Sequence, residues 1–140
     1  MQEVIIDIKG TQIVDGDKDV VSMNTVGQMN IIGGKTYLKY DDSVATGVEG
    51  VSCLIKIDPE DKSVIMQRSG TLNSRMYIKM GQRHICHYET GQGVLTMGVF
   101  GETVENSITE KGGKLYMSYT LDVNNSMMSR NLVEIDVKQA

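Results

Sequence analysis

Lys114-Leu115-Tyr116-Met117-Ser118-Tyr119-Thr120-Leu121 alternates without a break. Leu115, Met117, Tyr119 and Leu121 fall on one side, and Lys114, Tyr116, Ser118 and Thr120 on the other. An apolar group at every second position suits an extended strand with one buried and one wetted face, and does not suit a helix with its period of 3.6. The same rhythm recurs along the chain. It places Val4, Ile6 and Ile8 on one face, and likewise Thr36, Leu38 and Tyr40, then Val51, Cys53, Ile55 and Ile57, then Met76, Ile78 and Met80, then Val133, Ile135 and Val137. No stretch carries a convincing amphipathic helix.

Turn chemistry separates these runs: Asp15-Gly16, Gly33-Gly34, Asp58-Pro59-Glu60-Asp61, Gly70, Gly81-Gln82, Gly91-Gln92-Gly93, Gly101, Gly112-Gly113 and Asn124-Asn125. Such residues supply the left-handed backbone of tight hairpins. The segments delimited in this way are 3–14, 18–32, 35–42, 50–58, 62–69, 74–80, 83–90, 94–100, 103–110, 114–122 and 129–138. Some of them are expected to merge across bends. An antiparallel sheet of this size with short connections leaves two free edges unless it closes, and closure removes them. Consecutive hairpins make up-and-down order the simplest topology. The expected fold is all-β: one antiparallel up-and-down barrel of about eight to ten strands, filling a single domain over residues 1–140.

Fourteen basic against eighteen acidic residues give a formal charge of −4, whereas a general nucleic-acid binder is basic. No apolar run approaches the roughly 20 residues of a membrane helix. The start, MQEVIIDIKG, has no charged region followed by an apolar one, so no export signal is expected. Two cysteines without such a signal suit free thiols in a reducing, cytoplasmic setting.

Several motifs resemble chemistry but lack its context. Gly33-Gly34-Lys35-Thr36 has Met29 where a phosphate loop needs its first Gly, and a strand follows it where a helix is required. Asp15, Asp17 and Asp19 have calcium-loop spacing, but Val20 and Val26 stand at the positions of the Gly and the Glu. Gly91, Gly93 and Gly98 do not form a dinucleotide fingerprint. His84, Cys86 and His87 are the densest group of soft ligands, but in a strand His87 faces away from the other two. A zinc site wants three or four ligands. No Ser/His/Asp constellation can be assembled. No catalytic residue, metal ligand or cofactor is assigned.

The interior offers more. Val64, Met66 and Arg68 share a face, so a guanidinium sits beside apolar groups and needs a carboxylate, a carbonyl or a ligand anion as partner. Tyr40, Tyr88 and Tyr119 each lie near the end of an apolar alternation, and His84 shares the face of Tyr88. These groups could fix the polar head of an otherwise apolar ligand. Equally, the barrel could be filled by its own side chains, with Arg68 in a structural network. Ten methionines suit either case.

Tyr37-Leu38-Lys39-Tyr40, Thr46-Gly47, Val64-x-Met66-x-Arg68-x-Gly70, Met76-Tyr77-Ile78, Tyr88-Glu89-Thr90-x-x-Gly93 and Gly113-Lys114-Leu115-x-Met117-x-Tyr119-x-Leu121 occur in that order. This order resembles the YwiB-like family, small bacterial proteins with a calycin-like, lipocalin-type β-barrel. The resemblance spans about residues 3 to 138. It implies a closed or nearly closed barrel and a cytoplasmic protein. The family has no established activity, so the resemblance brings no catalytic residues with it.

The function expected is binding of a small apolar or amphipathic ligand in a partly apolar lumen, with Arg68, Tyr40, Tyr88, Tyr119 and His84 as its polar contacts. The alternative is a protein-interaction module or homodimer with a filled barrel, meeting its partner through Ile5, Tyr77 and Tyr116. A third reading, a haem or metal protein or an enzyme using His84, Cys86 or His87, needs a further ligand. Neither nucleic acid nor membrane is an expected partner.

Overall fold

A computed structural model describes residues 1–42, 49–71, 73–90 and 93–140, with the side chain of Thr90 excepted. The Thr46-Gly47 step and the Gly91-Gln92 part of a turn lie outside the described residues. Ten strands follow one another: β1 (Gln2–Val14), β2 (Asp17–Ile32), β3 (Lys35–Asp41), β4 (Val51–Asp58), β5 (Ser63–Gly70), β6 (Asn73–Lys79), β7 (Arg83–Thr90), β8 (Gly93–Asn106), β9 (Gly112–Val123) and β10 (Ser126–Gln139). Each pairs antiparallel with its sequence neighbour, and β1 pairs with β10, so the sheet closes in up-and-down order as the alternation predicts. The closing seam runs from Val4 opposite Gln139 to Ile13 opposite Arg130. No helix among the described residues is long and apolar enough to cross a membrane.

The hairpin signals act as read. Asp15 (φ 51°) and Gly16 (φ 82°), and likewise Asn124 (φ 54°) and Asn125 (φ 65°), take the left-handed conformation of tight two-residue turns. Two of the segments merge across a bend, as expected for some of them, and several ends move by one to four residues. Segments 94–100 and 103–110 are one strand, β8, which ends at Asn106. Gly101 marks a bend in it: the register on β9 shifts between Gly101 and Thr103. A bulge of this kind curves a strand without ending it. A Cβ on Gly101 would stand 2.3 Å from the backbone oxygen of Lys79, so the bend requires glycine.

The barrel is divided along its axis. Towards the end that holds Gln2 and Gln139, the inward series is aliphatic: Val4, Ile6, Leu38, Ile55, Ile57, Val64, Ile78, Leu115, Ile135 and Val137 are almost wholly removed from water. Burial of one such side chain stabilises by about 1.5–3 kcal/mol, so this end supplies the packing energy. Towards the other end, marked by the β1–β2 and β9–β10 turns, the same faces carry Tyr40, Asp42, Arg68, Ser129 and Asn131. The ladders are also uneven. β1 and β2 pair over their whole lengths, from Gln2 to Val14. Among the described residues β6 and β7 pair only at Asn73–Arg75 with His87–Glu89, although β6 runs on to Lys79 and β7 begins at Arg83.

At Gly27 on β2 two neighbours crowd the wall at once. A Cβ there would meet Ile6 Cδ1 and the backbone oxygen of Lys39, each at 2.6 Å. Gly27→Ala is therefore expected to destabilise by about 1–3 kcal/mol, the usual cost of overpacking. The readout is a lower urea midpoint. Gly10→Ala, with its nearest atom 4.0 Å away, is the control and stays within about 0.5 kcal/mol of the parent. Equal midpoints for the two variants would contradict this account.

Candidate functional site

Register places the inward polar groups in two rows. On one wall, Tyr40 stands opposite Cys53, Cys53 opposite Arg68, Arg68 opposite Ser74, and Ser74 opposite Tyr88, a continuous belt across β3 to β7. On the facing wall, Asp19 stands opposite Gln12, Gln12 opposite Asn131, and Asn131 opposite Tyr119, across β2, β1, β10 and β9. A cavity of about 240 Å³ lies where the rows meet. Its polar lining includes Asp19, Tyr40, Asp42, Arg68, Tyr119 and Asn131. Ile8, Met23, Met66 and Val133 form its apolar side.

The carboxylate partner of Arg68 is Asp42. Arg68 Nε donates to Asp42 Oδ2 at 2.6 Å, and the two side chains are 22% and 1% exposed. Burial by itself would lower the pKa of the guanidinium. The hydrogen bond to Asp42 and that carboxylate's charge outweigh it and raise the pKa. Only Nε is used: the terminal amino groups of Arg68 have no partner among the described residues. Burial, followed by the charges of Cys53 and Asp42, raises the pKa of the Tyr40 phenol. Burial pushes the Cys53 thiol up to about 11 and the Tyr119 phenol up to about 12. Asn131 Nδ2 donates to Ser129 Oγ at 3.0 Å, both groups being buried. Among the described residues no buried side-chain polar atom lacks a hydrogen bond.

Three of the five residues singled out from sequence, Arg68, Tyr40 and Tyr119, line one cavity. Tyr88 occupies the far end of the first row, half-buried and outside that lining. His84 lies elsewhere. Its ring centroid is 4.5 Å from that of Tyr77, and its Nε2 is 3.1 Å from Gln82 Oε1. Tyr77 in turn donates to Asp61, which Lys79 Nζ also binds at 2.6 Å. These bonds, first that of Lys79 and then that of Tyr77, hold the Asp61 carboxyl well below the usual range and fasten the β4–β5 turn. His84 therefore belongs to a polar cluster at the turn end of β6 and β7, not to the cavity. Cys53 and Cys86 are both free thiols. Among the described residues no group of three or more His, Cys, Asp or Glu could hold a metal.

Sequence reasoning missed Asp42, Asn131 and Ser129. Their signal was parity. Extending Thr36-Leu38-Tyr40 by two residues reaches Asp42, and extending Val133 backwards by two and four reaches Asn131 and Ser129. All three then face inward.

The family described as "Domain of unknown function (DUF1934)" matches residues 6–135. The crystal structure of the ywiB protein from Bacillus subtilis has a similar fold, with a TM-score of 0.86 at 19% sequence identity, covering 99% of this chain and 92% of that one. No curated protein matches.

Two outcomes are expected from this site. Arg68→Leu leaves Asp42 buried without its counter-ion and should cost about 3 kcal/mol, whereas the Arg68→Leu/Asp42→Leu double variant should cost much less. Chemical denaturation of the three proteins decides; equal losses in the single and double variants would refute the pairing argument. The second outcome concerns alkaline pH. Unfolded Cys and Tyr ionise near pH ~8.5 and ~10, below the folded values of about 11 and about 12. The unfolded chain thus loses protons that the folded one keeps, so this contribution to stability is intact below about pH 8.5 and is lost as pH rises towards 12. Urea midpoints measured from pH 8 to 11 should fall, and Tyr119→Phe should flatten the upper part of the slope.

Proposed function

We propose that this chain, which belongs to the DUF1934 family, is a binding barrel that takes a small, partly apolar ligand at the polar end of its lumen. The observation that carries this reading is the cavity itself, whose lining combines the Arg68–Asp42 pair and Tyr119 with Met23, Met66 and Val133. An apolar wall with a few convergent polar groups is the usual make-up of a ligand site. Its volume, about 240 Å³, is below the ~300–1,000 Å³ typical of drug-sized ligands, so the ligand is small. Methionine side chains adapt their shape and let such a wall accept more than one outline. Two free, buried thiols agree with a reducing, cytoplasmic setting.

Native mass spectrometry of gently purified protein, compared with its denatured intact mass, tests this reading. A reproducible extra mass lost on denaturation is expected. Tyr119→Phe should reduce its occupancy about fivefold or more while keeping the melting temperature within a few degrees. Arg68 is the wrong residue to truncate, because its loss removes the counter-ion of the buried Asp42. A native mass equal to the bare chain in repeated preparations would remove the binding reading.

One observation favours a second reading, a homodimer. On the outer wall Ile85 and Phe100, 53% and 38% exposed, are diagonal neighbours on β7 and β8. Light scattering over a concentration series checks it, and a monomer throughout would dispose of it.

A further inference from the structure

The charges around the cavity restrict what it can hold. Its charged lining residues are Asp19, Asp42 and Arg68. Arg68 is already neutralised at 2.6 Å by a carboxylate that is 1% exposed. Asp19, on the exposed part of β2, adds a further negative charge. The residues outside the described set, 43–48, 72 and 91–92, have no ionisable side chain, so this charge balance is complete. An anionic head would have to compete with Asp42 for the guanidinium while facing Asp19. A cationic head would face the guanidinium. Next to the buried Asp42 either conflict weighs more than it would in open water, because the effective dielectric there is lower.

What the site offers instead is neutral hydrogen bonding. The terminal amino groups of Arg68 can donate to an uncharged oxygen without disturbing the bond from Nε to Asp42. Asn131 spends its Nδ2 on Ser129, which leaves its Oδ1 as an acceptor. Tyr119 adds a hydroxyl held in its neutral form by burial. A carbonyl with an adjacent N–H matches this donor and acceptor set. Liquid water takes about 30 Å³ per molecule, so the cavity has room for roughly eight groups of that size.

On this basis we infer that the ligand is an uncharged, short molecule with a carbonyl or amide head and an apolar body, its head between Arg68 and Asn131 and its body against Met23, Met66 and Val133. This inference rests on the cavity-binding reading above. Of the three partners that the sequence allows for Arg68, the carboxylate is Asp42 and the ligand supplies the carbonyl.

Three probes of matched length and different charge test it: hexanamide, hexanoate and hexylammonium, each titrated into the full chain at pH 7 and followed by protein NMR. Hexanamide should bind at least tenfold more tightly than either ion, with shift changes centred on Met23, Met66 and Asn131. Asp19→Asn should improve hexanoate binding by about twofold to threefold and leave hexanamide unchanged. If hexanoate or hexylammonium binds as tightly as hexanamide, the inference of a neutral ligand falls while the binding reading stands. If none of the three perturbs the cavity resonances and no extra mass accompanies the purified protein, both fall.

Discussion

Closure is the constraint from which the other features follow. Ten strands that each pair only with their sequence neighbours would leave β1 and β10 as two long edges. Pairing from Val4–Gln139 to Ile13–Arg130 removes both. A closed sheet must bend and coil over a small radius, and that demand falls on particular residues. Gly27 lets β2 cross close to Ile6 and the Lys39 backbone, and Gly101 lets β8 bend without ending. With ten strands the ring encloses more width than the eight that side chains alone can fill, so room inside is a geometric result of strand number.

How that room is used varies along the axis. Aliphatic groups such as Leu38, Ile55, Ile57 and Ile135 fill one end, where packing is worth most. At the other end the rows Tyr40-Cys53-Arg68-Ser74 and Gln12-Asn131-Tyr119 replace them. Burying an ion pair there is poor economy for stability alone, since a hydrophobic pair of similar volume usually does as well or better. The apolar end thus supplies stability that the ion pair does not, and it carries the polar rows.

The fold was largely legible because strand alternation is local: Leu115 to Leu121 declares its two faces without reference to anything else. Turn residues such as Asp15-Gly16 and Asn124-Asn125 were legible for the same reason. The β8 bend was not, because a glycine that ends a strand and one that curves it look alike until the neighbouring strand is known. Of the site, Arg68, Tyr40 and Tyr119 could be named from parity and apolar context. Asp42 could not, because its role depends on a partner 26 residues away, and no local pattern reports that proximity. That His84 lies beside Tyr77 and outside the cavity lining was not legible, because β6 and β7 lose their common ladder beyond Arg75 and His87. Without that ladder, parity does not tell which neighbours a side chain meets.

That interrupted ladder has a consequence for motion. Local opening of a sheet costs least where fewest backbone bonds must break. β1 and β2 are joined along thirteen residues, β6 and β7 at three pairs among the described residues. The β6–β7 seam is therefore where the wall can part transiently without undoing the ring, much as a zipper opens where teeth are missing. Cys86 and Met76, both buried, lie directly beyond the last of those pairs and face that seam's interior side. The barrel is closed in its average structure, but exchange between lumen and solvent need not pass through its mouth.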